Sequence, residues 1–163
     1  LTLVNGTVNY SPMTNQEPAL PTPKGWPRIS SGITYLDADA AITWLCQAFG
    51  FTVRLKIDGE DGAVEHSELT YGDGVIMVGD LRKLTKFPQT RAPGQIEGGN
   101  TQTMMVYVDD VDAHCARARA HGATIVKEPE TTNYGEEYWT DRGYGCVDLG
   151  GRLWWFQQRL RTA

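Results

Sequence analysis

Ile33-Thr34-Tyr35-Leu36-Asp37-Ala38-Asp39-Ala40-Ala41-Ile42-Thr43-Trp44-Leu45-Cys46-Gln47-Ala48-Phe49-Gly50-Phe51 reads as a strand, a capped helix, a glycine stop and the start of a second strand. Asp37 or Asp39 can accept from the orphan N–H groups of a helix start. Ala41, Trp44, Leu45 and Ala48 then fall at i, i+3, i+4 and i+7, the spacing of one buried helix face. Gly50 suits the left-handed residue that ends such a helix. The pattern returns seventy-two residues later. Tyr107-Val108-Asp109 matches Tyr35-Leu36-Asp37, and Ala113, Ala120 and Gly122 match Ala41, Ala48 and Gly50. Thr124-Ile125 likewise matches Thr52-Val53. A constant offset over some nineteen positions is a repeat, and a repeat constrains the architecture before any single element does. The chain therefore reads as two copies of one β-α-β unit, each continuing into further strands.

Outward from that stretch, the first unit spans 28–79. Its opening strand covers 29–36, with Ile33 and Tyr35 on one face and Ser30, Gly32 and Thr34 on the other. Residues 51–58 alternate as a second strand, 63–71 form a third and 75–78 a fourth, divided by glycine-rich turns. Residues 80–101 hold two prolines and Gly98-Gly99 and read as a linker or mobile loop. The second unit spans 102–158. After the strand 102–108, Asp109 or Asp110 caps a helix to about His121, whose alanines at 113, 116, 118 and 120 suit close packing on a sheet. His114 and His121 are expected to be solvated. Residues 123–127 are the next strand, 128–142 an insertion with Tyr134, Tyr138 and Trp139, and 144–148 and 152–157 the last two strands. Residues 159–163 are a tail. Residues 1–27 carry Pro12, Pro18, Pro21, Pro23 and Pro27 and read as an extended arm, in which Leu3-Val4-Asn5-Gly6-Thr7-Val8 could make a small hairpin.

Composition narrows the function classes. A chain of 163 residues is about one domain, with a formal charge of −5 that leaves no basic footprint for nucleic acid. No apolar run approaches the roughly 18 residues of a membrane-spanning helix, and the given residues do not open on a basic n-region followed by an apolar h-region. Cys46, Cys115 and Cys146 are odd in number and without CxxC spacing, which points to reduced, buried thiols and a cytoplasmic protein.

Two βαβββ units in tandem resemble the vicinal oxygen chelate superfamily of glyoxalases, bleomycin-resistance proteins and extradiol dioxygenases. Three stretches carry the resemblance, which covers about residues 28–158. They are residues 37–51, ending Gln47-Ala48-Phe49-Gly50-Phe51; His66-Ser67-Glu68-Leu69-Thr70-Tyr71-Gly72-Asp73, similar to the PhnB-like branch; and residues 144–154, where Leu149 stands in place of the usual proline. The resemblance implies an α+β fold whose units build a curved mixed sheet around a cup. It also implies a homodimer, with the proline-rich arm on a partner or over its own sheet.

The resemblance further implies metal ligands on the first and last strands of each unit. Those positions fall here at Ser30, Met77 or Val78, Thr103 and Trp155, none a usual ligand. The expectation is no metal at the family site and no cofactor. Alternation sends His66, Glu68 and Thr70 into the concavity, with Leu153, Trp155 and Gln157, while Trp154 and Phe156 face the helix. The expected ligand-binding set is Ser30, Thr34, His66, Glu68, Thr103, Met105, Tyr107, Trp139 and Trp155. Two functions stay open. One is metal-free binding of a small apolar or aromatic molecule. The other is an enzyme, either a lyase-like member with a displaced metal or one using His66 and Glu68 as acid and base.

Overall fold

The computed structural model describes residues 22–84 and 86–162. Most of the expected arm, including its hairpin, lies outside the described residues. The first unit runs β1 (Ser31–Tyr35), α1 (Ala38–Phe49), β2 (Thr52–Asp58), β3 (Val64–Tyr71) and β4 (Gly74–Asp80). The second runs β5 (Met104–Tyr107), α2 (Val111–Ala120), β6 (Thr124–Asn133), β7 (Thr140–Val147) and β8 (Leu153–Arg161). Each unit forms its own four-stranded mixed sheet, ordered β1-β4-β3-β2 and β5-β8-β7-β6. The first strand of each unit pairs parallel with the last, and the other pairs are antiparallel. The tandem βαβββ architecture is therefore present, as two sheets that do not close on each other.

The helices start where short acidic side chains stop the strands. Asp37 accepts from the Ala40 N–H at 3.0 Å, and Asp110 from the Ala113 N–H at 3.0 Å. At the far end of α1, Gly50 adopts φ 81°, a left-handed conformation that closes the helix through its N–H to the Cys46 carbonyl. Replacing either Asp37 or Asp110 by alanine should lower stability by about 1 kcal/mol, read as a urea midpoint shift, and asparagine should restore most of it.

These caps correct the repeat. Asp110, rather than Asp109, is the counterpart of Asp37, so β1 and the start of α1 match the second unit at an offset of seventy-three. The buried face of α1 includes Ala38, Ala41, Ile42 and Leu45, and that of α2 is Val111, His114, Cys115 and Ala118, which agree under this offset. Offset seventy-two returns only at Gly50 and Gly122, because α2 is the shorter helix. Consequently Ala113, Ala116 and Ala120 face solvent, and of the four alanines only Ala118 is buried. Tyr107 corresponds to Thr34 and faces outward, while Tyr35 is buried.

His114 is not solvated; it is 4 % exposed. Its Nδ1 accepts from the Tyr144 hydroxyl at 2.7 Å and its Nε2–H donates to the Phe49 carbonyl at 3.0 Å, so the ring is held neutral between the two units. Phe49 also meets Trp154 and Phe156, and Phe51 meets Tyr71 and Trp154. The helix-bearing faces of both sheets thus share one core. Trp154 is fully buried there, while Trp44 is half-buried and donates its indole N–H to the His121 carbonyl at 2.7 Å.

Two loop expectations also change. Residues 128–142 are no insertion: β6 and β7 extend through them as one long hairpin with its tip at 134–139. Pro129 sits where the register shifts between Lys127 and Glu130, on an edge strand, where a missing N–H breaks no ladder. Residues 80–101 include two short 3-10 turns, Leu81–Leu84 and Pro93–Gln95, and bury Ala92 and Pro93.

Candidate functional site

With both helices in the shared core, the other face of each sheet turns outward. On the first sheet, Glu68 and His66 stand opposite Leu55 and Ile57 of β2. A register shift between Val53 and Leu55 inserts Arg54, whose guanidinium reaches Glu68. Arg54 Nε and Nη2 donate to Glu68 Oε2 at 2.7 and 2.6 Å, and His66 Nε2 lies 3.0 Å from Oε1. The His66 hydrogen bond, helped by Arg54 and opposed by burial, holds the Glu68 carboxyl below the usual carboxylate range. Glu68 is therefore an acceptor, and His66 Nε2 carries the proton between them. On its other side Arg54 lies 4.6 Å from the Trp26 ring centroid and donates to the Gly25 carbonyl.

On the second sheet, Trp155 lies over Gly145 and Gln157 over Gly143. A Cβ at Gly145 would sit 2.9 Å from the Trp155 ring, and one at Gly143 would sit 2.1 Å from the Gln157 amide. These glycines are what allow both side chains to lie flat. Beside Trp155, Met105 is 56 % and Tyr107 46 % exposed. Arg159 donates to the buried Asp141 and to the Tyr107 hydroxyl, each at 2.5 Å, and stacks 5.2 Å from the Trp139 ring centroid. The hairpin tip adds Tyr134 and Tyr138 against Trp139.

The expected ligand-binding residues divide into three groups. Ser30, Thr103, Met105 and Tyr107 line a cleft of about 870 Å³ at the seam between the end of the first sheet and β5. His66 and Glu68 form one cluster on the first sheet, with Thr34 buried on β1 of that sheet. Trp155 and Trp139 belong to the outward aromatic surface of the second sheet. Among the described residues, no hydrogen bond, ion pair or ring contact joins His66 or Glu68 to either tryptophan. Arg54, Arg159 and Trp26 were missed by the sequence reading. The bulge that aims Arg54 at Glu68 has no local signature, and the Arg159 contacts depend on the length of the β6–β7 hairpin.

The four positions implied for a metal do not suit a divalent ion. Val78 is in the core, so Met77 is the outward residue of that pair, opposite Gly32. Trp155 covers Gly145 with its ring, and Ser30 and Thr103 offer only neutral hydroxyls. Ser30 Oγ is a buried atom without a hydrogen-bond partner. Among the described residues, no three His, Cys, Asp or Glu side chains cluster in a way that could hold an ion.

Comparison with known proteins fits this geometry. A family profile for the Glyoxalase/Bleomycin resistance protein/Dioxygenase superfamily matches residues 32–156. An uncharacterized protein of Mycobacterium tuberculosis is 31 % identical over 136 residues, covering 83 % of this chain and 76 % of that one. The crystal structure of TioX from Micromonospora sp. ML1 is 33 % identical with a TM-score of 0.62, covering 82 % of this chain and 99 % of TioX. TnmS3 from Streptomyces sp. CB03234, described as an antibiotic binding protein, shares the fold at 20 % identity and a TM-score of 0.57, over 80 % of this chain and 93 % of TnmS3.

Proposed function

This chain belongs to the Glyoxalase/Bleomycin resistance protein/Dioxygenase superfamily, and from that premise we propose that it is a metal-free binding protein for a small apolar or aromatic molecule. The observation that carries the reading is the outward aromatic surface of the second sheet, where Trp155 lies flat on Gly145 beside the exposed Met105 and Tyr107. Such a surface suits a planar or amphipathic ligand. That TnmS3 binds an antibiotic on the same fold makes the use physically reasonable.

One chain leaves both outward faces open, so the cup is completed by a second copy. The first sheet of one protomer, with Leu55, Ile57, His66 and Glu68, faces the second sheet of its partner, with Met105, Tyr107 and Trp155. This homodimer removes large apolar side chains from water that a monomer exposes. The three free cysteines suit a reducing, cytoplasmic setting. Among the described residues, no helix is long and apolar enough to cross a membrane.

Binding of polycyclic aromatic probes, followed by calorimetry, tests the reading. Trp155→Ala should weaken binding at least tenfold, since stacking on an indole contributes roughly 0.5–1.5 kcal/mol beyond the lost burial. A stoichiometric divalent ion whose removal abolishes binding would overturn the metal-free reading. Sedimentation at micromolar concentration should return a dimer; a monomer there would remove the cup between copies. A second reading rests on the Arg54–Glu68–His66 cluster: an enzyme in which Glu68 orients His66 to take a proton. Turnover of a bound compound, lost in His66→Ala while binding persists, would select it.

A further inference from the structure

The geometry points to His66 Nδ1 as a hydrogen-bond acceptor that selects ligands carrying an aromatic hydroxyl. This inference rests on the binding reading above and names the polar group its ligand should bear. His66 Nε2 is taken by Glu68 Oε1 at 3.0 Å, and a carboxylate can only accept, so that nitrogen is the donor. Arg54 donates twice to the other Glu68 oxygen, Oε2, so Oε1 is left to accept from the ring. In the neutral imidazole the proton therefore sits on Nε2, and Nδ1 is a lone-pair acceptor. Its side chain is 40 % exposed on the outward face, and no protein donor is bonded to Nδ1 among the described residues.

The surroundings fit a ring with a hydroxyl at its edge. Ile57, directly across from His66 on β2, is 47 % exposed, and Leu55 stands across from Glu68. An aromatic ring can lie on these two aliphatic side chains while its O–H reaches Nδ1. Arg54 does not compete as an anion site: Nε and Nη2 go to Glu68, Nη1 goes to the Gly25 carbonyl, and Trp26 covers one face. A carboxylate ligand would find a lone pair opposing it; a methoxy ligand would have no proton to give.

The test compares 2-naphthol, 2-methoxynaphthalene and 2-naphthoate by calorimetry on the full chain at about pH 8. The naphthol should bind about tenfold more tightly than the methoxy compound, the range of one buried hydrogen bond. His66→Leu should erase that preference, read as the ratio of the two affinities. His66→Gln, whose amide oxygen can accept, should keep part of it. Equal affinity for naphthol and methoxynaphthalene in the unaltered protein, or a preference that survives His66→Leu, overturns the inference and leaves the aromatic cup intact. Preference for the naphthoate also overturns it, since a carboxylate has no proton to give to Nδ1. If none of the three binds, or if Trp155→Ala leaves their binding unchanged, the cup reading fails and this inference with it.

Discussion

Asp148→Ala should destabilise the protein by roughly 4 kcal/mol, because it leaves two buried side-chain donors without a partner at about 1–3 kcal/mol each. The Tyr35 hydroxyl donates to Asp148 Oδ2 at 2.5 Å and the Trp154 indole N–H donates to the same oxygen at 2.8 Å. The backbone N–H groups of Gly150 and Arg152 donate to Oδ1 at 2.8 and 2.9 Å. Burial first, and then the Asp148 charge, push the Tyr35 phenol well above its ordinary pKa, so it stays a donor at any physiological pH. One carboxylate thus ties β1 of the first unit to the turn between β7 and β8. That turn leads into Leu153 and the Trp155 platform. Thermal unfolding should shift down by about 8–16 °C for a chain of this size. Tyr35→Phe removes one donor and keeps the other three bonds, so it should lose only about 1 kcal/mol. If the two variants lose equal stability, Asp148 is not the hub of this junction.

The sequence made the architecture legible because its periodicities are local. Strand alternation in β3 and β8, the aspartate caps and Gly50 each act within a few residues, and each stands in the structure as read. The repeat was legible in kind but slipped by one residue, because α2 is the shorter helix and the glycine after it dominates the match. That slip put Ala113 in place of His114 on the buried face. The stripe Val111, His114, Cys115 and Ala118, counted from Asp110 as the cap, was the signal that could have found it. At the site, the pairing of His66 with Glu68 follows from strand period alone. Arg54 does not, because a bulge is set by packing across the sheet. Nor could the sequence tell that the outward faces of one chain would stay apart. That depends on how the two helices meet, and Phe49, His114 and Phe156 come from distant parts of the chain.

The other large effect expected is acid destabilisation through His114. Burial, reinforced by the nearby Arg117 charge and only partly offset by the Phe49 carbonyl, pushes its pKa from 6.5 down to about 4. A histidine with a depressed folded-state pKa is neutral in the native protein while the unfolded chain takes up the proton. Its contribution is therefore complete above the unfolded value of 6.5 and is lost as pH falls toward 4. The loss between about pH 7.5 and about pH 4.5 should be roughly 2–3 kcal/mol, from a shift of this size. A proton on Nδ1 would displace the Tyr144 O–H that this nitrogen accepts from, and it would place a charge in a ring lying against Phe49 and Phe156. His114→Gln can still donate to the Phe49 carbonyl and accept from Tyr144, but it has no proton to gain. It should be less stable than the unaltered protein at neutral pH and should close that gap by about 2–3 kcal/mol at pH 4.5. Urea unfolding of both proteins across this range measures the gap directly. A gap that does not change with pH would mean that the buried ring takes its proton as readily as the unfolded chain does. The two units would then not be held together through a neutral imidazole.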